Sequence, residues 1–185
     1  LDRPASQSFY AVAGRLLFVQ SLDLELATQI ERLFAGWQLT PVSSLDRNPD
    51  IKITFTCGEL PQPPAGLNEF EVAEGGRCYS SGDEYYLRFE NSLLRLQQGG
   101  PVIISVLISS PSAAELARVT SFAVCAALRR FGIFELHSAG VVMPDGIGVM
   151  IIGPSGSGKS TLTSQLAGAG WSYLSDDELL LSLNG

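Results

Sequence analysis

The stretch that decides the fold covers residues 149–160 and reads VMIIGPSGSGKS. Its first four residues are apolar and predict a strand. The next eight match the pattern G-x-x-x-x-G-K-[ST], whose glycines let consecutive backbone N–H groups turn towards an anion at the start of a helix. A helix-forming run follows at residues 158–167. The setting of strand, loop and helix therefore favours a phosphate-binding loop over the alternative, a Gly-Ser-rich surface loop.

Two residues of this loop have separate predicted roles. Lys159 neutralises the β and γ phosphates of a nucleotide, and the Ser160 hydroxyl ligates Mg²⁺. The predicted nucleotide-binding residues are those of the loop and the next one along, namely Gly153, Pro154, Ser155, Gly156, Ser157, Gly158, Lys159, Ser160 and Thr161.

Composition excludes several classes of partner. The 185 residues carry a net charge of −7, so a broad basic surface for DNA or RNA is not expected. The longest nearly uncharged stretch, residues 101–112, is too short to span a bilayer, and no signal peptide opens the chain. We therefore expect a soluble protein that contacts neither nucleic acid nor membrane, and the sequence leaves oligomer formation open.

Three cysteines, Cys57, Cys78 and Cys125, are widely spaced and lack any C-x-x-C pairing. This usage indicates reduced thiols that fill the core of a cytoplasmic protein rather than disulfides or a zinc site. The chain starts at Leu1 without a methionine and stops at Gly185, after a strand-like run. We expect a fragment of a longer protein.

Residues 1–110 predict a sheet-plus-helix module with no chemical motif. Ser21 is the predicted N-cap of its helix, because Asp23 and Glu25 follow it and apolar residues then recur on one helical face. The predicted strands cover residues 9–20 with an interruption at Gly14, 51–57, 77–80, 85–90, 93–97 and 102–108.

Residues 111–185 form the second predicted domain. Ser112 and Glu115 match a capping box, which predicts a helix that Gly132 ends. The further prediction is a strand over 134–143, a turn at 144–146, a strand over 147–152 leading into the loop, the helix, and short strands over 171–174 and 179–183. The fold class is α/β, with a mixed sheet and an antiparallel hairpin leading into the loop, preceded by the smaller sheet-plus-helix module.

Three side chains outside the loop are candidates for chemistry. Asp176 and Asp177 end the strand that follows the loop helix, where an α/β sheet presents its ligand-binding edge. They are candidates for holding Mg²⁺ or taking a proton, and a solvated turn is the alternative. His137, the single histidine, precedes the hairpin and is either structural or part of the site.

Taken in order, these motifs resemble the catalytic core of the HPr serine kinase/phosphorylase family, which shares its fold with the ATP-type phosphoenolpyruvate carboxykinases. The resemblance covers about residues 134–183 and rests on the Leu-His pair ending at His137, the hairpin, the loop, and the Asp-Asp pair ending at Asp177. Pro154 and Thr161 depart from the family pattern, which has acidic residues at both positions. Residues 1–110 resemble instead the leaders of small HPr-kinase-like proteins of peptide-modification cassettes, the SynChlorMet type included.

The resemblance implies an ATP- and Mg²⁺-dependent phosphotransferase that acts on a serine of a protein or peptide. Asp177 is similar to the family's base and metal-binding carboxylate, Asp176 to an accessory carboxylate, and His137 and Lys159 to further catalytic residues. The family's later metal-binding glutamate and catalytic arginine lie beyond Gly185. A nucleotide-binding interaction module without turnover, and a carboxykinase-like enzyme acting on a small molecule, are the alternatives.

Overall fold

The chain forms two compact units, Leu1–Arg130 and Phe131–Gly185, in a computed structural model. The sequence-based boundary between residues 110 and 111 lies earlier, before a helix that belongs to the first unit. The fold is α/β with mixed strand pairing, as expected, but the N-terminal module is the larger unit and not the smaller. The structure describes residues 4–37, 39–43, 48–64, 66–72, 75–82, 84–97 and 101–183.

Over its described residues, the N-terminal unit is a nine-stranded mixed sheet with two helices. The helices are α1 (Leu24–Gly36) and α2 (Ala113–Arg129). In chain order the strands are β1 (Ser6–Val12), β2 (Arg15–Ser21), β3 (Pro41–Val42), β4 (Ile51–Cys57), β5 (Asn68–Glu71), β6 (Arg77–Ser81), β7 (Glu84–Arg88), β8 (Ser92–Gln97) and β9 (Val102–Ile108). Their order across the sheet is β3-β1-β2-β4-β9-β8-β7-β6-β5, and only β2–β4 and β4–β9 pair in parallel.

Alternating side chains build the core on one face of this sheet. Ile53 of β4 lies beside Ile104 of β9, and both are fully buried. α1 contacts β2 and β4, α2 contacts β8 and β9, and the two helices contact each other. Burial of these apolar faces stabilises the unit, since each fully buried aliphatic side chain contributes about 1.5–3 kcal/mol.

One predicted helix cap is wrong and the other is confirmed. The N-cap of α1 is Asp23, whose Oδ1 accepts a hydrogen bond from Leu26 N–H at 2.9 Å. Ser21 remains on β2, and its hydroxyl donates to the Asp23 carbonyl, because strand pairing with Ser6 extends through it. At α2, Ser112 accepts from the Glu115 N–H at 3.2 Å, as the capping box predicts.

The C-terminal unit has two small sheets and one helix. Sheet one pairs β10 (Ile133–His137) with β14 (Glu178–Ser182). Sheet two has the order β12-β11-β13, built from β11 (Ala139–Val142), β12 (Gly148–Ile151) and β13 (Ser172–Ser175). The helix, α3 (Lys159–Gly168), follows the 153–160 loop. The sheets meet at Gly140, where an added Cβ would lie 2.6 Å from Leu179 Cδ1.

The single strand predicted over residues 134–143 is wrong, because it breaks at Ser138. Its first half, β10, pairs with β14, and its second half, β11, pairs with β12 and β13. Consequently the strand that carries His137 is not the hairpin partner of the strand entering the loop. The antiparallel hairpin itself is confirmed, with Ala139 opposite Ile151.

The cysteines lie nearer the surface than expected. Cys57 is exposed and the other two are half-buried, so none fills the core, and all three, which lie in the described ranges, form no disulfide. Burial raises the pKa of the Cys78 thiol above its ordinary value. Within the described part of the chain, no helix is long and apolar enough to cross a membrane.

Candidate functional site

The 153–160 loop follows β12 directly and ends in the first turn of α3, so the predicted strand–loop–helix arrangement is confirmed. Gly156 and Gly158 have φ values of 76° and 88°, which L side chains rarely adopt. Gly153 packs so closely that an added Cβ would lie 2.6 Å from Ser157 Oγ. The backbone geometry therefore favours glycine at positions 156 and 158, and a side chain at position 153 would displace the Ser157 hydroxyl.

The start of α3 keeps its backbone donors open. Gly158 is the N-cap and makes no side-chain capping hydrogen bond. The first N–H groups of a helix lack partners within the helix and carry a partial positive charge, which attracts anions. Ser160 and Thr161 are exposed in this first turn. The turn therefore has the donors and the access that a phosphate needs.

Lys159 is anchored where the loop curls. Its side chain is almost fully buried, and Nζ donates to the carbonyls of Gly153 at 2.9 Å and Pro154 at 3.3 Å. One turn later the fully buried Thr163 donates its hydroxyl to the Lys159 carbonyl at 2.8 Å. These contacts hold the ammonium charge inside the loop.

Strand directions bring the loop and the acidic pair to one edge of the three-stranded sheet. β12 and β13 are each antiparallel to β11, so they run in the same direction. The loop follows β12, the pair Asp176 and Asp177 follows β13, and His137 lies two residues before β11. All three groups therefore leave the sheet at the same edge.

The imidazole of His137 and the carboxylate of Asp177 are in direct contact. Nδ1 of His137 lies 3.0 Å from Oδ1 of Asp177, and both side chains are largely exposed. A backbone hydrogen bond connects the same two segments, since the N–H of the buried Ser138 donates to the Asp177 carbonyl at 2.9 Å. The break between β10 and β11 is thus the point at which Asp177 is held.

The turn that carries the acidic pair is ordered by two hydroxyl groups. Ser175 Oγ accepts from the backbone N–H groups of Asp177 at 3.4 Å and Glu178 at 3.3 Å. The Tyr173 hydroxyl donates to Asp176 Oδ1 at 2.8 Å, and this bond raises the pKa of the Tyr173 phenol. Asp176 therefore faces Tyr173, and Asp177 faces His137.

A further carboxyl group lies across from the histidine. Glu178 is the cross-strand partner of His137 in the β10–β14 pair. Partial burial raises the pKa of Glu178, and so do the nearby carboxylates of Glu135 and Asp177, whereas His137 opposes the shift. The strand edge next to the site is thus strongly acidic.

The structure brings most of the predicted site residues together and adds some. His137, Asp176 and Asp177 lie at the sheet edge from which the loop residues also leave. Sequence reasoning missed Ser138, Tyr173, Ser175 and Glu178. The signal for Ser175 was present, because a serine before Asp-Asp-Glu is typical of a turn that bonds its own backbone. The contact made by Ser138 depends on long-range pairing and left no local signal.

By themselves, the side chains of the candidate site provide few of the ligands that a metal ion needs. Among the described residues, no group of three or more His, Cys, Asp or Glu side chains could hold a metal ion. Mg²⁺ is usually bound by one or two carboxylates together with phosphate and water, so Ser160 Oγ and the Asp177 carboxylate are the oxygen ligands that this chain would contribute. No protein-family model matches the chain, and no curated protein matches it significantly.

Proposed function

We propose that the chain is an ATP-dependent phosphotransferase of the HPr-kinase-like class, which transfers the γ-phosphate to a serine of a protein or peptide. The observation that carries this proposal is the 3.0 Å contact between His137 and Asp177 at the sheet edge from which the 153–160 loop also leaves. A phosphate cradle beside an oriented, accessible carboxylate is the arrangement that transfer to a hydroxyl requires.

Each residue has a role that its contacts support. The backbone N–H groups of the loop and Lys159 would bind the phosphates. Ser160 and Asp177 would hold Mg²⁺, which neutralises phosphate charge. Asp177 would accept the proton of the serine hydroxyl while the serine oxygen bonds to the γ-phosphorus and the bond from that phosphorus to ADP breaks.

His137 is the orienting partner in this proposal. Its Nδ1 fixes one oxygen of Asp177, so the carboxylate has one restrained orientation towards an incoming hydroxyl. Asp176 accepts a hydrogen bond from the Tyr173 hydroxyl, whereas Asp177 contacts His137. Asp176 therefore serves as the accessory carboxylate rather than as the base.

Labelled ATP and a library of serine-containing peptides test the proposal. We expect label on serine peptides and none on the matching alanine library. Asp177→Asn should slow transfer about 10²–10⁴-fold, since a positioned base contributes that much, while the affinity for nucleotide without Mg²⁺, measured by calorimetry, stays close to that of the parent protein. Lys159→Ala should abolish binding and transfer together.

One outcome would contradict the role of Asp177, and another would overturn the phosphotransferase. Transfer that is unchanged in Asp177→Asn would remove the base from its role. Nucleotide binding that depends on Lys159 without transfer to any peptide would favour the nucleotide-binding interaction module instead.

A further inference from the structure

The helical layer of the N-terminal unit covers only part of its sheet. α1 and α2 lie side by side over β2, β4, β9 and β8. A helix with its side chains is about 10 Å across and sheet strands are about 4.8 Å apart, so one helix covers about two strands. The strands β7, β6 and β5 continue the sheet beyond α2, and their helix-side face carries the next apolar side chains.

A hollow of about 390 Å³ lies on that face. Its floor comes from β6, β7 and β8, one wall is the C-terminal half of α2, and the other is the edge strand β5. Phe70 of β5 is 51% exposed. The apolar residues that line it include Phe70, Leu87, Leu94, Leu96, Phe122 and Ala126.

The cross-strand register explains why this lining is apolar. Leu87 is opposite Leu94 and Cys78, and Phe70 is opposite Cys78, so these side chains share one face. A volume of this size, lined by aliphatic and aromatic groups with a few polar groups, is typical of a pocket for a small molecule.

Positive charge lies at the rim of the hollow. Arg129, in the last turn of α2, is exposed and lines the hollow, and it has no hydrogen bond or ion pair with any described residue. Beside it the Arg130 guanidinium lies 4.8 Å from the ring centre of Tyr85, another lining residue. In a chain whose net charge is −7, an arginine side chain that pairs with no described residue, at the rim of an apolar hollow, favours a ligand that is apolar with one negative end.

We propose that this hollow binds a small amphiphile of the fatty-acid type, with its apolar body against the sheet and its anionic head group at Arg129. The inference is independent of the phosphotransferase, because every lining residue belongs to the N-terminal unit.

Native cysteines provide the readout, with dodecanoate as the probe. Cys78 and Cys125 line the hollow, whereas Cys57 at the end of β4 does not. The full chain is alkylated with N-ethylmaleimide, with and without monomeric dodecanoate, and each site is followed by mass spectrometry. We expect dodecanoate to slow labelling of Cys78 and Cys125 and to leave Cys57 unchanged.

Three comparisons test whether binding depends on the charge of the ligand, on the volume of the hollow and on Arg129. Dodecylamine, which reverses the head-group charge, should protect poorly. Ala126→Leu fills the hollow and should weaken dodecanoate binding about tenfold, a change of about 1.4 kcal/mol, while the matched Ala114→Leu at the exposed start of α2 should not. Arg129→Gln should remove the preference for dodecanoate over dodecylamine.

Several results would overturn the proposal. Equal labelling with and without dodecanoate, equal protection by dodecylamine, or unchanged binding in Ala126→Leu would each do so. Protection of Cys78 and Cys125 that grows with protein concentration in the absence of probe would show a second copy of the chain over the hollow, and it would also overturn the proposal.

Discussion

Asp177 is the most constrained of the exposed carboxylates at the candidate site. Its side chain contacts His137, its carbonyl accepts from Ser138, and its N–H donates to Ser175. These contacts come from the consecutive residues His137 and Ser138 and from Ser175 in the turn of Asp177 itself, so two segments determine the position of this residue. A side chain that is 72% exposed gains little stability from such contacts. The contacts therefore restrain a carboxylate that stays accessible to solvent.

Glu178 leads to a prediction about pH. Burial and the nearby carboxylate of Glu135 raise the pKa of Glu178, so the folded protein keeps this proton to a higher pH than the unfolded chain. By linkage, the free energy of unfolding decreases as pH rises from the ordinary glutamate pKa through the raised one. Glu178→Gln removes the titrating group. The free energy of unfolding of the variant minus that of the parent protein should therefore be larger at about pH 7 than at about pH 4.

Urea unfolding followed by tryptophan fluorescence measures this effect. The chain has two tryptophans, and Trp37→Phe leaves Trp171 of the C-terminal unit as the only reporter. Glu90→Gln, at an exposed position in the other unit, is the control. A difference between Glu178→Gln and its parent that is the same at both pH values would contradict the prediction.

At the scale of elements, local signals predicted more than long-range ones did. Gly14 indicated either two strands around a turn or one bulged strand, and the structure has the turn, with positive φ values of 48° at Ala13 and 75° at Gly14. The loop and α3 follow from an eight-residue pattern. The break at Ser138 was not predictable, because β10 pairs with β14, which lies far along the chain. An apolar run in the sequence does not show which strands its two halves pair with.

Two glycines, Gly158 just before α3 and Gly168 at its end, provide a matched pair of substitutions that tests the backbone geometry where α3 begins. Gly158 has a φ of 88°, where a Cβ costs about 1–2 kcal/mol. Gly168, at the end of the same helix, has no positive φ and open space around it. We expect Gly158→Ala to lower the free energy of unfolding by about that amount, and Gly168→Ala to raise it by about 0.4–1 kcal/mol. Urea unfolding read by Trp171 compares them, and equal effects of the two substitutions would contradict the assigned geometry.

At the scale of the whole molecule, sequence patterns found the strands but not their order. The strands β4, β8 and β9 were each predicted within one residue at either end. Their joining into one sheet of nine strands was not predicted, because register depends on which apolar faces meet, such as Leu94 opposite Val106. The acidic pair follows β13, whose direction depends on its pairing with β11 and not on the short hairpin.

The division into two units leads to the last prediction, on hydrogen exchange in the intact chain. All predicted phosphate ligands lie after Arg130, so ADP with Mg²⁺ should slow amide exchange in the 153–160 loop and in α3 and leave the strands of the nine-stranded sheet unchanged. At a ligand concentration of about 100 times Kd, binding stabilises the bound state by about 2.7 kcal/mol, which is enough to slow exchange measurably at amides that open with the site. Lys159→Ala should abolish the effect, and Lys52→Ala, on β4 of the other unit, should not. Protection that appears first in β4 or β9, or that survives in Lys159→Ala, would place the nucleotide somewhere other than this loop.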